Sequence, residues 1–420
     1  MTDAAPPPHA TPYPIRTLGD DDWPALLEVD SNAFGGSFEQ EVLDAERELI
    51  EMDRAIGAYD GQTLVGVAAA FTFDLAVPGA VVPVAGVSWV GVLPTHRRRG
   101  ILRALMTTQL HDIRERGREA VAVLWASEPV IYGRFGYGLA SHAVRLRVPR
   151  GPDTLRPDLP VDPDLRLRLV PAEDWKLTAD VYAAAAASRP GLIARDDRWY
   201  RRAVSDFPSM RQGRSALRCV VAEDRDGVRG YARYSTKSEW APTGPQGTVD
   251  VREVVAADAP ALAALYRYLL DIDLTRTVEL WNVPVDDPLL HWLSSARAAS
   301  PTLQDALYVR LVDVPTALGQ RTYAAPVDVV IGLTDRLCPW NEGTWRLTGG
   351  ADGARCERTT DEPDLRMSVT ELGAAYLGGT ELAELALAGR VQPAAGSGPV
   401  LAATSAAFAT SPRPWSSFIF

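Results

Sequence analysis

The chain has 420 residues, 46% of them hydrophobic, and a formal net charge of −11. That length exceeds one ordinary core and points to two or three domains. The acidic balance argues against nucleic-acid binding as a general role, and three scattered cysteines are too few for a disulfide framework.

In chain order, residues 1–12 are rich in proline and alanine and read as disordered. Asp20, Asp21 and Asp22 before Trp23-Pro24 predict a helix start. The helix runs toward Phe34 and stops at Gly35-Gly36, and a second follows from about Phe38 to Ile50. Ala55–Tyr59, the turn Asp60-Gly61 and Leu64–Phe73 predict a hairpin. Val87, Trp89, Val90 and Val92 make a short strand that Pro94 ends. Ile101, Leu102, Leu105 and Met106 then resume at helical spacing to about Arg116. Strands at Ala120–Leu124 and Ala143–Val148 close an α/β domain over residues 13–150.

A proline-rich linker from Arg150 to Pro163 opens a central domain over residues 151–302. Its strand at Thr248–Val255, turn at Ala256–Ala259 and apolar helix through Leu262, Leu265 and Leu269 repeat the strand–loop–helix plan without arginines or glycine. Residues 303–420 alternate short strands with an alanine- and leucine-rich helix, Glu381–Leu387, and predict a small α+β domain. No apolar run approaches the roughly 20 residues of a membrane span, and the five dispersed histidines form no ligand-spaced pair, so no metal is expected. The reading is a soluble chain in a reducing cytoplasm.

The chemistry concentrates at Arg97-Arg98-Arg99-Gly100. A glycine at a helix start lets backbone N–H groups and the positive end of the helix dipole converge on an anion, with guanidiniums around it. Lys176 and Lys237 are the only lysines among 43 basic residues, so arginine clusters are discounted and Gly100 with its flanking strand carries the argument. Tyr132 and Tyr137 follow, each beside glycine, with equal claims as proton donors from residue type alone. The chain ends Trp415-Ser416-Ser417-Phe418-Ile419-Phe420. Termini are ordinarily polar and fray, so an aromatic end reads as docked; from these residues alone, simple packing explains it.

Arg97–Leu102 resembles the acetyl-CoA signature of the GNAT N-acetyltransferases. Together with Thr95-His96, the run Ile131-Tyr132-Gly133-Arg134-Phe135-Gly136-Tyr137-Gly138 and the terminal Phe420, the chain resembles the Eis family from Asp21-Asp22-Trp23-Pro24 onward. The resemblance implies a mixed α/β fold: two tandem GNAT-like domains, the second without a phosphate loop, then a sterol-carrier-protein-like α+β domain. It implies acetyl-CoA held by Val90, Gly91, Val92, Arg98, Arg99, Gly100, Ile101, Leu102, Arg103, Ser127 and Glu128. Tyr132 would be the general acid and the Phe420 carboxylate the general base, burial making that carboxylate a better base than its reference pKa of roughly 3.5. Phe34, Trp89 and Trp199 would line the acceptor cleft, with Trp125 where the family has a histidine.

Acceptors implied are aminoglycosides, polyamines or lysine amines, in a homo-hexamer. Two acids of the mycobacterial aminoglycoside site are absent, Gly36 and Ile419 standing in their places, which turns the expectation toward a smaller or more apolar amine. Alternatives are an enzyme using a longer acyl-CoA, and a lipid-binding protein with a relic GNAT half.

Overall fold

Residues 12–420 are described by the computed structural model; the stretch expected to be disordered lies, Pro12 apart, outside the described residues. They divide into two units whose sequences interleave. One takes the described residues up to Ala140 with Leu307–Thr410 and Phe418–Phe420, the other Ser141–Ala306 with Ser411–Ser417.

The first unit begins with β1 (Ile15–Thr17), α1 (Trp23–Phe34), α2 (Gln40–Leu49) and β2 (Ile56–Asp60). Pro24 in the first turn starts α1, and Gly35, at a left-handed φ of 70°, ends it. Next comes a long hairpin, β3 (Thr63–Val77) and β4 (Ala80–Val92), then α3 (Ile101–Arg116), β5 (Val121–Trp125), α4 (Pro129–Tyr132) and β6 (Gly138–Leu139). β3 is buried on both faces, which is why it reads Val-Gly-Val-Ala-Ala-Ala-Phe rather than alternating with polar residues.

The second unit holds β7 (His142–Pro149), β8 (Arg166–Val170), α5 (Lys176–Ser188), α6 (Asp197–Val204), β9 (Arg218–Asp224) and β10 (Gly227–Lys237). A small ribbon, β11 (Trp240–Ala241) with β12 (Gly244–Pro245), leads to β13 (Gly247–Ala256), α7 (Ala259–Leu270), β14 (Thr275–Pro284), α8 (Leu289–Trp292) and β15 (Thr302–Asp305). Its sheet runs β15-β7-β14-β13-β10-β9-β8. The strand expected at Ala143–Val148 to close the first domain is therefore corrected to this sheet. Val144, Leu146 and Val148 pack with Val249, Val278 and Leu280, and that core, not chain proximity, decides its place.

The chain then returns to the first unit. β16 (Leu307–Leu311) inserts between β5 and β6, giving the order β1-β2-β3-β4-β5-β16-β6, so residues 307–311 belong to the first sheet rather than to a domain starting at 303. All five β16 residues are buried. They include Arg310, whose guanidinium is held 2.8 Å from Asp335. The remainder is α9 (Val314–Gly319), β17 (Val327–Thr334), β18 (Gly343–Gly350), β19 (Gly353–Arg358), β20 (Leu365–Ser368), α10 (Val369–Ala375), α11 (Leu382–Leu387), β21 (Gln392–Pro393) and α12 (Gly398–Phe408). These strands form a separate sheet, β19-β18-β17-β20-β21.

Candidate active site

A fork in the first sheet sets the site. β4 pairs in parallel with β5 only at Val84–Gly86 against Val121–Val123. Beyond Gly86, β4 keeps β3 on one side and β5 keeps β16 on its far side, but β4 and β5 no longer pair with each other. At the fork β4 bulges: Trp89 and Val90 together oppose Ala68, and Trp89 sits at φ 54°. A left-handed tryptophan costs about 1–3 kcal/mol; the edge-on Trp23 ring, 5.6 Å away, packs against it. Val90 and Val92 pack against the core around Ile101 and Leu105, and Gly91 faces Ala33 of α1. Among the described residues no strand pairs with β4 beyond Gly86 on the β5 side, so this edge has backbone groups to offer a ligand.

The basic loop lies at the end of this strand. Arg98 at φ 63° and Gly100 at φ 84° turn the chain into α3, whose first turn has no side-chain cap, leaving N–H groups at a helix N-terminus. A Cβ on Gly100 would meet nothing within 4 Å, so conformation rather than space requires glycine there. Arg97 is spent on the Ala33 carbonyl at 3.0 Å and Arg99 on the Tyr13 hydroxyl at 2.9 Å, whereas Arg98 and Arg103 are exposed and have no partner among the described residues. Ile101 is buried and Leu102 packs on the core, so these two can offer only backbone. His96, 3.2 Å from Asp60, steadies the loop.

The second unit has the corresponding strand and helix with the opposite electrostatics. Asp258 caps α7 by accepting from the Ala261 amide at 3.0 Å, and its carboxylate also binds Arg229 at 2.8 Å. An anion already occupies that helix start. Its fork is filled too: β13 pairs with β14 over Gly247–Val251, and Trp415, bonded through Nε1 to Asn282, lies beside Arg252–Val254 with only about 20 Å³ left open.

On the first unit's β5 side, Trp125 is half-buried and Ser127 and Glu128 are exposed ahead of α4. Tyr132 ends α4 at 9% exposure, in the cluster of Ala85 and Val87. Its hydroxyl has no hydrogen-bond partner among the described residues, and burial with the nearby Glu128 charge raises its pKa, so the phenol stays protonated. Tyr137, edge-on at 6.0 Å, is 1% exposed with its hydroxyl enclosed and unpartnered. Of the two tyrosines, Tyr132 keeps the opening.

The opposite face of β4, that of Gly86 and Ser88, carries the chain end. Ser88 Oγ donates to a main-chain oxygen of Phe420 at 3.0 Å, and the Phe420 ring packs edge-on against Phe73 at 5.1 Å. A Cβ on Gly86 would lie 2.4 Å from the Phe73 ring and 3.1 Å from that of Phe420, so glycine clears room for both. Phe34 is 53% exposed at the end of α1, close to Gly91. Trp199 lies on α6 of the second unit, buried, its amide bonded to Asp196. The sequence reading missed Ser88, Gly86 and the packing of Trp23 on Trp89. A serine between two apolar strand residues, Val87 and Trp89, four positions before the strand ends at Val92, was the available signal.

No helix among the described residues is long and apolar enough to cross a membrane, and no group of three His, Cys, Asp or Glu residues among them could hold a metal ion. Residues 14–140 and 191–311 each match an acetyltransferase (GNAT) domain, and residues 314–417 a sterol carrier protein domain. The chain is 49% identical to an uncharacterized N-acetyltransferase of Streptomyces avermitilis, over 96% of this chain and 98% of that one. It is 33% identical to the N-acetyltransferase Eis of Mycobacterium tuberculosis, covering 89% and 91%. The crystal structure of Eis1 from Mycobacterium abscessus matches with a TM-score of 0.82 at 35% identity, covering 97% of this chain and all of that one. Two acetyltransferase domains, a sterol-carrier domain and relatives matched nearly end to end identify the chain as a member of the Eis family of GNAT N-acetyltransferases, an acyltransferase that uses acyl-CoA.

Proposed function

We propose that the protein transfers acetyl from acetyl-CoA directly to the amine of a small cationic acceptor, with Tyr132 as general acid and the Phe420 carboxylate as general base. The observation that carries this reading is the fork. It combines an unpaired β4 edge, an uncapped α3 start with two free arginines, and proton-transfer groups on both faces of β4.

The residues present fit the coenzyme. The α3 amides, Gly100, Arg98 and Arg103 would hold its phosphates, with Ile101 and Leu102 contributing backbone. Val90, Gly91 and Val92 would take its amide-bearing arm as an added strand, with Ser127 and Glu128 on the β5 side. When bound, acetyl-CoA supplies a thioester acetyl group. Phe420, fixed by Ser88, takes the proton from the acceptor nitrogen as its N–C bond forms. Tyr132 gives its hydroxyl proton to the sulfur as the C–S bond breaks, and solvent restores both groups.

Trp89, Phe34 and Trp125 are assigned to the acceptor side. Gly36 and Ile419, both exposed, supply no carboxylate, which favours an acceptor smaller than an aminoglycoside. A homo-hexamer, on family resemblance alone, and a reducing cytoplasm, on cysteine usage, complete the reading.

Thiol release from acetyl-CoA against aminoglycosides, polyamines and lysine peptides tests it: turnover with at least one amine is expected. Turnover only with myristoyl-CoA, or no thiol release with any amine, overturns it. Gly100→Val should raise the KM for acetyl-CoA about tenfold or more. The left-handed backbone would cost a β-branched residue about 1–2 kcal/mol, and its side chain would stand where phosphate is held.

A further inference from the structure

The chain is held most firmly just before it ends. Pro414, Trp415, Ser416 and Ser417 are buried, the two serines to 1% and 6% exposure, whereas Ile419 is 60% exposed. Adjacent serines buried near a terminus must find hydrogen-bond partners or cost folding free energy. The second unit, to which Ser411–Ser417 belongs, supplies them.

Asp286, itself paired with Arg189, accepts from the Arg413 amide at 2.7 Å, and the Pro190 carbonyl accepts from the Trp415 amide at 2.9 Å. Gly191, at φ 91°, lies so close that a Cβ there would stand 2.8 Å from the Trp415 carbonyl oxygen. Asn282 of β14 serves two residues at once. Its Nδ2 donates to the Ser416 carbonyl at 2.9 Å and its Oδ1 accepts from the Trp415 indole at 3.1 Å. Tyr182 of α5 donates its hydroxyl proton to the Ile193 carbonyl at 2.8 Å, so Ser417 Oγ, 3.0 Å away, is the donor to Tyr182.

The seat exists because strands part here as well. β13 and β14 pair in parallel only as far as Val251 and Leu280, and β14 then bulges against β7 at Trp281-Asn282. In the first unit the matching gap between β4 and β5 is open; in the second it takes the chain's own tail.

We infer that the second unit is the holder of the general base: its strand fork seats Trp415–Ser417, and Asn282 and Tyr182 are positioning residues for the Phe420 carboxylate. This rests on the acetyltransfer reading above. Only three residues follow Ser417, so a held Ser417 confines the carboxylate to within about 11 Å of it. Without the seat, everything after α12, which ends at Phe408, would be loose and the carboxylate dilute at its site. Confinement raises the effective concentration of the base.

The test places Asn282→Ala in the native full chain and in one carrying a glycine after Phe420. In the native chain kcat should fall about tenfold, the loss of two orienting hydrogen bonds, with the KM for acetyl-CoA within about twofold. In the extended chain, whose carboxylate is already displaced, the same substitution should change kcat by less than about twofold. A merely structural residue would lower both chains equally, and that result, or no drop in the native chain, overturns the assignment. Tyr182→Phe, which keeps the ring, repeats the comparison should Asn282→Ala not fold.

Carboxypeptidase A reads the seat without any turnover. It should release Phe420 about tenfold faster from either variant than from wild type, and equal rates overturn the seat. No thiol release with any amine of the wider panel instead overturns the acetyltransfer reading and the base role with it, whatever the rate of Phe420 release.

Discussion

Tyr132→Phe should lower kcat by about a hundredfold to ten-thousandfold, the range for removing a positioned general acid, while acetyl-CoA affinity stays within about twofold. The ring stays in the Ala85–Val87 cluster and only the hydroxyl is lost. Stopped-turnover thiol release with coenzyme titration separates the two quantities. Tyr137→Phe is the matched control. Its hydroxyl is enclosed and unpartnered, so deleting it removes a buried group without a hydrogen bond and should leave kcat near wild type, with equal or greater stability. If Tyr137→Phe abolishes turnover and Tyr132→Phe does not, the acid assignment passes to Tyr137.

One glycine added after Phe420 should cost kcat about a hundredfold or more. The Phe420 ring can stay against Phe73 and Gly86, but its main-chain oxygen becomes a peptide carbonyl, and the carboxylate moves a residue away from Ser88. The α3 loop is untouched, so coenzyme affinity should hold. Ser88→Ala keeps the carboxylate and loses only the hydrogen bond that orients it, so a smaller drop of about fivefold is expected, near 1 kcal/mol. Equal activity of the extended and native chains would make Phe420 a packing residue and send the search for a base elsewhere.

Local signals read well where the physics is local. Pro24 and Gly35 bound α1, and Gly100 marks the start of α3, because helix initiation and termination are decided within a few residues. The β2–β3 hairpin was legible at its Asp60-Gly61 turn, but the long β3–β4 hairpin was not. β4 begins at Ala80, not near Val87, and runs through Pro83, which the parallel pairing with β5 leaves unharmed since it starts only at Val84.

Sheet membership was not legible. Ala143–Val148 and Leu307–Leu311 are both short apolar strands, and nothing within either states which distant strand will pair with it. The Arg97–Gly100 loop at the start of α3 was visible through its motif, and so was the run around Tyr132. Ser88 was not, since a lone polar residue on a strand reads as solvent-facing until its neighbours are known.

The insertion of β16 between β5 and β6 bears on how the protein is made. β5 is complete at Trp125, but its neighbour arrives only at Leu307–Leu311. At ordinary ribosomal speeds that interval is on the order of tens of seconds. During that time a nascent chain shows an unsatisfied run of Val-Ala-Val-Leu-Trp backbone, the kind of edge that chaperones cover and that aggregates recruit. A fragment cut at Ala140 would keep the Arg97–Gly100 loop and Tyr132 yet retain this exposed edge permanently, so the stretch of sequence that matches the first acetyltransferase domain is not a domain that can be excised.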